Sequence, residues 1–303
     1  MVIGFSRFPR GSMSYRHLDN LRFIFCPCCE SRKLAEFFRN PTFRKIESWR
    51  QFFYGGKDYI PRIIRCSECG YSFIDPIDLD AERYYREAET GDYGHLILQR
   101  RQYFSAVKRK IEQHGVKLPS ISSILDVGAA SGEWLALWKG AAKLHATEAN
   151  PNHINALENS GVIVSLSAKE FNKKFDLISA FDFLEHVPDP RNTILSLMEL
   201  LNPGGYLILG VPDMGTWAAR LLGIRYYLYC PMHVSYFTCT SLSVLLKNLT
   251  KDTPQIFKSP PMSTSLSGAL KWIMPRVRSS VFDKIAIPMG YRASLIATVR
   301  VNA

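Results

Sequence analysis

The run Ile124-Leu125-Asp126-Val127-Gly128-Ala129-Ala130-Ser131-Gly132-Glu133 constrains this chain more than any other feature. An apolar stretch of strand length meets a turn of small residues, and a helical pattern follows. From there the grammar alternates. Residues 122–127, 143–149, 161–167, 174–183 and 206–212 read as strands. Residues 132–141, 151–160 and 191–201 read as the helices between them, the last ended by Asn202-Pro203-Gly204-Gly205. A helix over 241–249 and a final strand pair, 254–259 with 293–301, complete the pattern, and 262–290 carry no decisive one. Strands separated by helices of this length predict an α/β fold whose parallel sheet is covered on both faces. Upstream, Leu96, Leu98, Tyr103, Phe104, Val107 and Ile111 fall on one stripe of a basic helix.

The turn narrows the ligand. Small residues let backbone approach a bound molecule, and a helix start offers unpaired N–H groups. A phosphate-binding loop needs a Gly-Lys-Ser/Thr ending, which is absent. A dinucleotide fingerprint needs glycine at 128, 130 and 133, where this chain has Gly128, Ala130 and Glu133. Asp126 at the strand tip repels a pyrophosphate but suits the amino group of a zwitterionic amino acid. Glu148, 22 residues past Asp126, ends the second strand, where an acid can accept hydrogen bonds from both ribose hydroxyls.

On these residues the segment resembles motif I of class I S-adenosylmethionine-dependent methyltransferases, Asp-x-Gly-x-Gly-x-Gly, with Ala130 at the middle glycine. Residues 174–190 (KFDLISAFDFLEHVPDP) resemble the fourth-strand motif of that family, and 201–213 (LNPGGYLILGVPD) the turn into its fifth strand. Residues 233–248 resemble the stretch that closes the substrate side in many bacterial members. The resemblance covers roughly 120–250. It implies a Rossmann-like doubly wound sheet and S-adenosyl-L-methionine as cofactor. The implied contacts are Asp126, Gly128, Ala130, Gly132, Glu148, Ala149, Ala168 and Phe181. The loop after the third strand, Ser167-Ala168-Lys169-Glu170, departs from the pattern, which often places an acid there for the adenine amino group. Either backbone at Ala168 or the Glu170 side chain is left to take that contact.

Two histidines are candidates for the chemistry. His186 follows the fourth strand beside Glu185, and imidazole titrates near neutrality, so it is the expected general base. Its alternative role is to cap the next helix or orient Glu185. His233 sits in the closing segment with Tyr236 and Phe237, and is a candidate for substrate contact or base. The aromatic group Trp217, Tyr226, Tyr227 and Tyr229 reads first as packing and second as an acceptor pocket.

Seven cysteines in a chain of 303 residues are an odd, clustered set, which argues against a disulfide framework. Cys26-Pro27-Cys28-Cys29 and Cys66-Ser67-Glu68-Cys69 make two C-x2-C hooks with 36 residues between them. Cys26, Cys29, Cys66 and Cys69 match the four thiolates of tetrahedral structural Zn2+. Doubling a loop costs only about 0.6 kcal/mol, so the long span is no obstacle. Cys28 is a spare that leaves the pairing within the first hook open. The segment CPCC…RCSECGYSFIDP, followed by ERYY and DYGHL, resembles the zinc ribbon that precedes methyltransferase domains in bacterial enzymes acting on sugars, polysaccharide precursors or secondary metabolites.

The net charge of +11 suits an anionic partner, such as a nucleotide-linked substrate or nucleic acid. Residues 1–120 hold 21 basic and 14 acidic side chains, a balance of +7. No stretch reaches the length of a membrane-spanning helix. The N-terminus lacks an apolar signal region, so a cytoplasmic location is expected. Residues 268–290 mix apolar and basic side chains and are a candidate for peripheral membrane contact. The expected organisation is an N-terminal extension (1–25), a zinc ribbon (26–80), a helical connector (81–119) and the methyltransferase domain (120–303). The function expected is methyl transfer to a small or carrier-linked acceptor. The alternatives are an RNA methyltransferase gripping RNA through the ribbon, and a non-catalytic zinc-dependent binding protein.

Overall fold

The computed structural model describes residues 24–75, 81–88, 97–117, 121–265, 286–289 and 294–301. The strands of the main sheet are β4 (Ser123–Val127), β5 (Lys143–Thr147), β6 (Ile163–Ser165), β7 (Phe175–Phe181), β8 (Leu201–Pro212), β10 (Gln255–Lys258) and β13 (Ser294–Arg300). Their spatial order is β10-β13-β8-β7-β4-β5-β6. Strands β4 to β8 run parallel, β13 lies antiparallel on β8, and β10 antiparallel on β13. The chain winds outward from β4 through β5 and β6, then returns to the other side of β4 with β7 and β8. This reversal makes the carboxyl ends of β4 and β7 the topological switch point, where ligands of such sheets bind.

Alternation along the strands builds two apolar layers. Ile124, Leu177, Ile208 and Ile296 face a cluster with Phe104, Val107, Ile111, Trp134 and Trp138. Leu125, Ile178, Leu209 and Ala297 face the opposite cluster with Ile194, Leu197, Leu242, Leu245 and Leu246. The first layer is supplied by α3 (Ile97–Gln113), the second by α5 (Pro190–Met198) and α7 (Cys239–Lys247). Their starts are encoded locally. Asp189 caps α5 at the N–H of Asn192 with Pro190 in the first turn, and Thr238 with Ser241 forms a capping box on α7. Helix α4 (Pro151–Asn159) starts the same way from Asn150.

Two expectations change. The predicted helix 132–141 is only a 3-10 turn over Leu135–Trp138. Gly132 and Gly140 both have left-handed φ, 80° and 82°, and burial of Trp134 and Trp138 pins the short span between them. Leu98, expected on the apolar stripe of α3, is 71% exposed. Leu96, most of 268–290 and residues 1–23 lie outside the described residues. Strand β12 (Ala286–Met289) pairs with β11 (Met262–Ser265) at the edges of the stretch left without a pattern. Among the described residues no helix is long and apolar enough to cross a membrane.

The cysteine segment forms a second sheet, β1-β2-β3-β9, from β1 (Leu34–Arg39), β2 (Arg62–Cys66), β3 (Ser72–Ile74) and β9 (Ser235–Tyr236). Its last strand comes from the far side of the sequence, pairing Ser72 with Tyr236 and Phe73 with Ser235. The buried Ser235 hydroxyl donates to Val187 O at 2.8 Å and lies 2.7 Å from the Tyr71 hydroxyl. Removing it leaves the Tyr71 hydroxyl and the Val187 carbonyl short of a partner at buried positions. Ser235→Ala should therefore lower stability by about 1–3 kcal/mol, read from urea unfolding.

Candidate functional site

The turn after β4 is shaped by three left-handed residues, Gly128 (φ 71°), Ala130 (φ 49°) and Gly132 (φ 80°). Its start is tied to β5, with Gly128 N and Ala129 N donating to Thr147 O at 2.9 and 3.1 Å. A side chain at Ala130 costs on the order of 1 kcal/mol in this conformation. Glu148 offsets the strain, because its Oε2 accepts from Ala130 N at 2.8 Å. Its Oε1 accepts from Ala149 N and Asn150 N, both at 2.9 Å. Burial pushes the Glu148 carboxyl up, but His153 and the Asn150 and Ala149 N–H groups outweigh it and hold the carboxyl below its usual value. The acid expected to read a ribose is thus ionised, oriented and fastened to the turn.

Asp126 is buried, and its Oδ1 accepts from the Ser179 hydroxyl at 2.6 Å across the β4–β7 pairing. Burial pushes its carboxyl up to about 7, against the pull of Ser179 and Arg100, while Glu133 and Glu148 add to the rise. Glu133, also buried, takes Arg100 Nε at 3.2 Å and the Ser131 hydroxyl at 2.6 Å. Asp126 and Glu133 near Arg100, with the Glu148 charge beside Asp126, give an excess of acid that disfavours phosphate and suits a cationic ligand. Sequence reading passed over Ser179, Glu133 and Arg100. Ser179 is found only through strand register, and Arg100 only once α3 is docked.

The remaining expected cofactor residues are spread around the switch point. Ala149 is buried beside Glu148, and Ala168 is buried at the start of a 3-10 turn over Ala168–Phe171. Glu170 is exposed and accepts from the Ser165 hydroxyl. Phe181 ends β7, with its ring packed on Phe104 and Trp134 at 5.1 and 5.0 Å between centroids.

His186 and His233 come together, their ring centroids 4.9 Å apart. Met232 O lies 2.9 Å from His186 Nδ1, and a carbonyl only accepts, so Nδ1 carries the proton. The Tyr85 hydroxyl oxygen shares that proton at 2.8 Å. Nε2 is then the basic nitrogen, 4.0 Å from Glu185 Oε1. Burial holds the His186 imidazole below its usual value, so it is neutral and able to take a proton. His233 Nδ1 donates likewise to Leu228 O at 3.0 Å. Glu185 is buried, and burial with the nearby Asp182 charge pushes its carboxyl well up. Tyr85, on α2 (Ala81–Glu87), lies in the ERYY stretch, but nothing in its spacing announced a contact 101 positions away. In the aromatic group, Tyr226 and Tyr229 are buried, whereas Trp217 is 78% exposed.

The cysteine hooks close on each other. Cys26 and Cys69 sulfurs are 3.5 Å apart, as are those of Cys29 and Cys66, and all four lie within 4.8 Å. Tetrahedral zinc–thiolate bonds separate sulfurs by about 3.8 Å, so the four residues fit such an ion. Each hook ends in a left-handed residue, Glu30 (φ 59°) and Gly70 (φ 75°), whose N–H returns to Cys26 O and Cys66 O. Cys28 is buried outside this foursome.

Residues 99–249, about half of the chain, match the family described as a methyltransferase domain. The chain thus carries a class I S-adenosylmethionine-dependent methyltransferase domain, an enzyme domain built on the mostly parallel sheet described above. A ubiquinone biosynthesis O-methyltransferase of Erwinia tasmaniensis is 30% identical over 89 residues, 29% of this chain and 35% of that protein. The chain spans about a third of the length of the curated relatives it matches. A solved methyltransferase from Thermotoga maritima, described as a possible histamine N-methyltransferase, is 18% identical with TM-score 0.47, covering 73% of this chain and 97% of its own. Magnesium protoporphyrin IX methyltransferase from Synechocystis PCC 6803, solved with S-adenosylhomocysteine bound, is 13% identical with TM-score 0.45, covering 74% and 94%.

The raised Asp126 carboxyl sets a pH dependence. Its folded value lies above its unfolded one, so the folded chain keeps the proton longer. Its contribution to stability is therefore full below its ordinary value of 3.8 and is lost as pH rises toward about 7. The decline is at most about 1.4 kcal/mol per pH unit. Urea unfolding across this range should find Asp126→Asn with a flatter profile than the parent chain.

Proposed function

We propose that this protein transfers a methyl group from S-adenosyl-L-methionine to a small or carrier-linked acceptor, such as a sugar, a polysaccharide precursor or a secondary metabolite. The observation that carries the reading is Glu148, whose carboxylate is fastened to the glycine turn at Ala130 and to its own strand end at Ala149 and Asn150. When bound, the cofactor supplies an electrophilic methyl group on a cationic sulfonium. Gly128 and Gly132 give the backbone its turn, Glu148 meets the ribose, and Ala149 and Ala168 flank the nucleoside. Asp126, with Glu133 nearby, supplies negative potential toward the cationic end of the ligand. His186 and His233 face the acceptor, and His186 Nε2 takes its proton. The curated relatives named for O-methylation favour an oxygen acceptor.

The cysteine cluster is proposed as a structural Zn2+ site. Cys26, Cys66, Cys69 and Tyr71 are buried in the same apolar cluster as Leu209 and Leu245, which supports a packing role over an open nucleic-acid grip. Four thiolates leave no coordination position for chemistry.

Calorimetric titration with S-adenosylhomocysteine should give one site per chain. Glu148→Ala should weaken it about ten- to hundredfold, as expected for loss of charged hydrogen bonds. Parent affinity in that variant removes the ribose assignment. Metal analysis of freshly purified protein should find one thiolate-bound zinc per chain, absent from Cys66→Ser, and zinc-free fresh protein would sink the structural-metal reading.

A further inference from the structure

We propose that Glu185, His186 and His233 form a second metal site, for a divalent first-row transition-metal ion, on the acceptor side of the switch point. The proposal rests on the acceptor-side reading above and changes one role in it: with an ion bound, His186 Nε2 is a ligand and no longer the proton acceptor. One donor atom of each residue lies within 4.8 Å of the others, in a place separate from the four cysteines. Both rings are oriented as metal-bound histidines are, with Nδ1–H spent on a backbone carbonyl, Met232 O for His186 and Leu228 O for His233. His186 thereby turns Nε2 toward Glu185, 4.0 Å from its Oε1. The third member is a carboxylate only 2% exposed, whose Oε2 has no hydrogen-bond partner among the described residues. A buried oxygen without a partner is unfavourable, and a bound cation would supply one.

The backbone that carries the three residues is tied together. Val234 N donates to Glu185 O at 2.8 Å, and His233 N to Cys230 O at 3.1 Å. Metal bonds of about 2.0–2.2 Å to nitrogen and oxygen put ligand atoms roughly 3.0–3.5 Å apart, so closure asks each side chain to move by less than about 1 Å. Two imidazoles and one carboxylate fit zinc, iron, cobalt or manganese rather than calcium or magnesium. Such a set has fewer protein ligands than the ion's full coordination, and the open position suits an acceptor oxygen. The acceptor class that follows is a hydroxyl compound, whose acidity rises on a cation so that its proton passes to solvent as the methyl group is transferred to its oxygen.

The test uses the full chain exchanged into Co2+, with metal content and visible absorption read together. The expected result is two Co2+ per chain, one with thiolate charge-transfer absorption and one without it. Glu185→Gln and His233→Ala should each lose the second equivalent and keep the thiolate-bound one. S-adenosylhomocysteine binding should persist in both. Parent protein that takes up only the thiolate-bound equivalent overturns the site, as does a second equivalent untouched by both substitutions. If a variant also loses the thiolate absorption it has unfolded, and the parent stoichiometry decides. Loss of this site leaves His186 as the proton acceptor and the methyltransferase reading intact. Failure of the parent chain to bind S-adenosylhomocysteine strikes that reading instead, whatever the cobalt count.

Discussion

The Ser235 hydroxyl is the joint on which the two halves of the structure depend. It meets Tyr71 from the cysteine sheet and donates to Val187, just past the Glu185-His186 pair. Around it, β9 pairs with β3, Ile74 N donates to Val234 O, and Val234 N donates to Glu185 O. One residue further, Phe237 bridges to Asp213 at the end of β8. Five consecutive residues, 233–237, therefore belong to the cysteine sheet, the acceptor face and the main sheet at once. A ribbon hung on a linker could be lost without touching chemistry. Here the strand that completes the cysteine sheet follows His233 by two residues, so that sheet and the His186–His233 pair share one stretch of backbone.

Charge divides the switch point into two regions with different tasks. Beside the glycine turn, Asp126, Glu133 and Glu148 lie near one another, and each is held by a donor: Ser179, Arg100 with Ser131, and backbone N–H groups. Burial is the main reason the Asp126 carboxyl is pushed up, and the nearby Glu133 and Glu148 charges add to it. Around His186, burial favours the neutral form both of its own imidazole and of the Glu185 carboxyl beside it, so a cation bound there would be felt strongly.

Local signals made the cofactor half readable. The strand-turn-helix run, the acid 22 residues on and the paired Cys hooks are patterns of spacing, and spacing survives in a sequence. The α/β order and the cysteine foursome could be anticipated from them, whereas the meeting of His186 with His233 could not. The helix expected over 132–141 could not be corrected from its composition, because Trp134 and Trp138 look like helix-face residues until their shared burial is known. Tyr85, Arg100 and Tyr71 stayed silent for a different reason. Their partners, His186, Glu133 and Ser235, lie 101, 33 and 164 positions away, and no periodicity encodes a contact of that range.

The tip of β7 explains why the two regions sit where they do. Asp182 adopts a left-handed φ of 49°, a conformation that carries strain for a residue with a Cβ. The kink turns the chain out of the sheet so that Phe183 drops onto the cofactor turn, where a Cβ at Gly128 would come within 3.0 Å of its ring. Glycine at 128 is thus required twice, once by φ and once by Phe183. The next two residues past Phe183 and Leu184 are Glu185 and His186, and the His186 ring packs on His233. A single strained residue between the fourth parallel strand and its loop therefore sets the spacing between cofactor turn and acceptor face. A change that relaxed Asp182 would move the Gly128 turn and the Glu185-His186 pair relative to each other, although the residue itself is exposed.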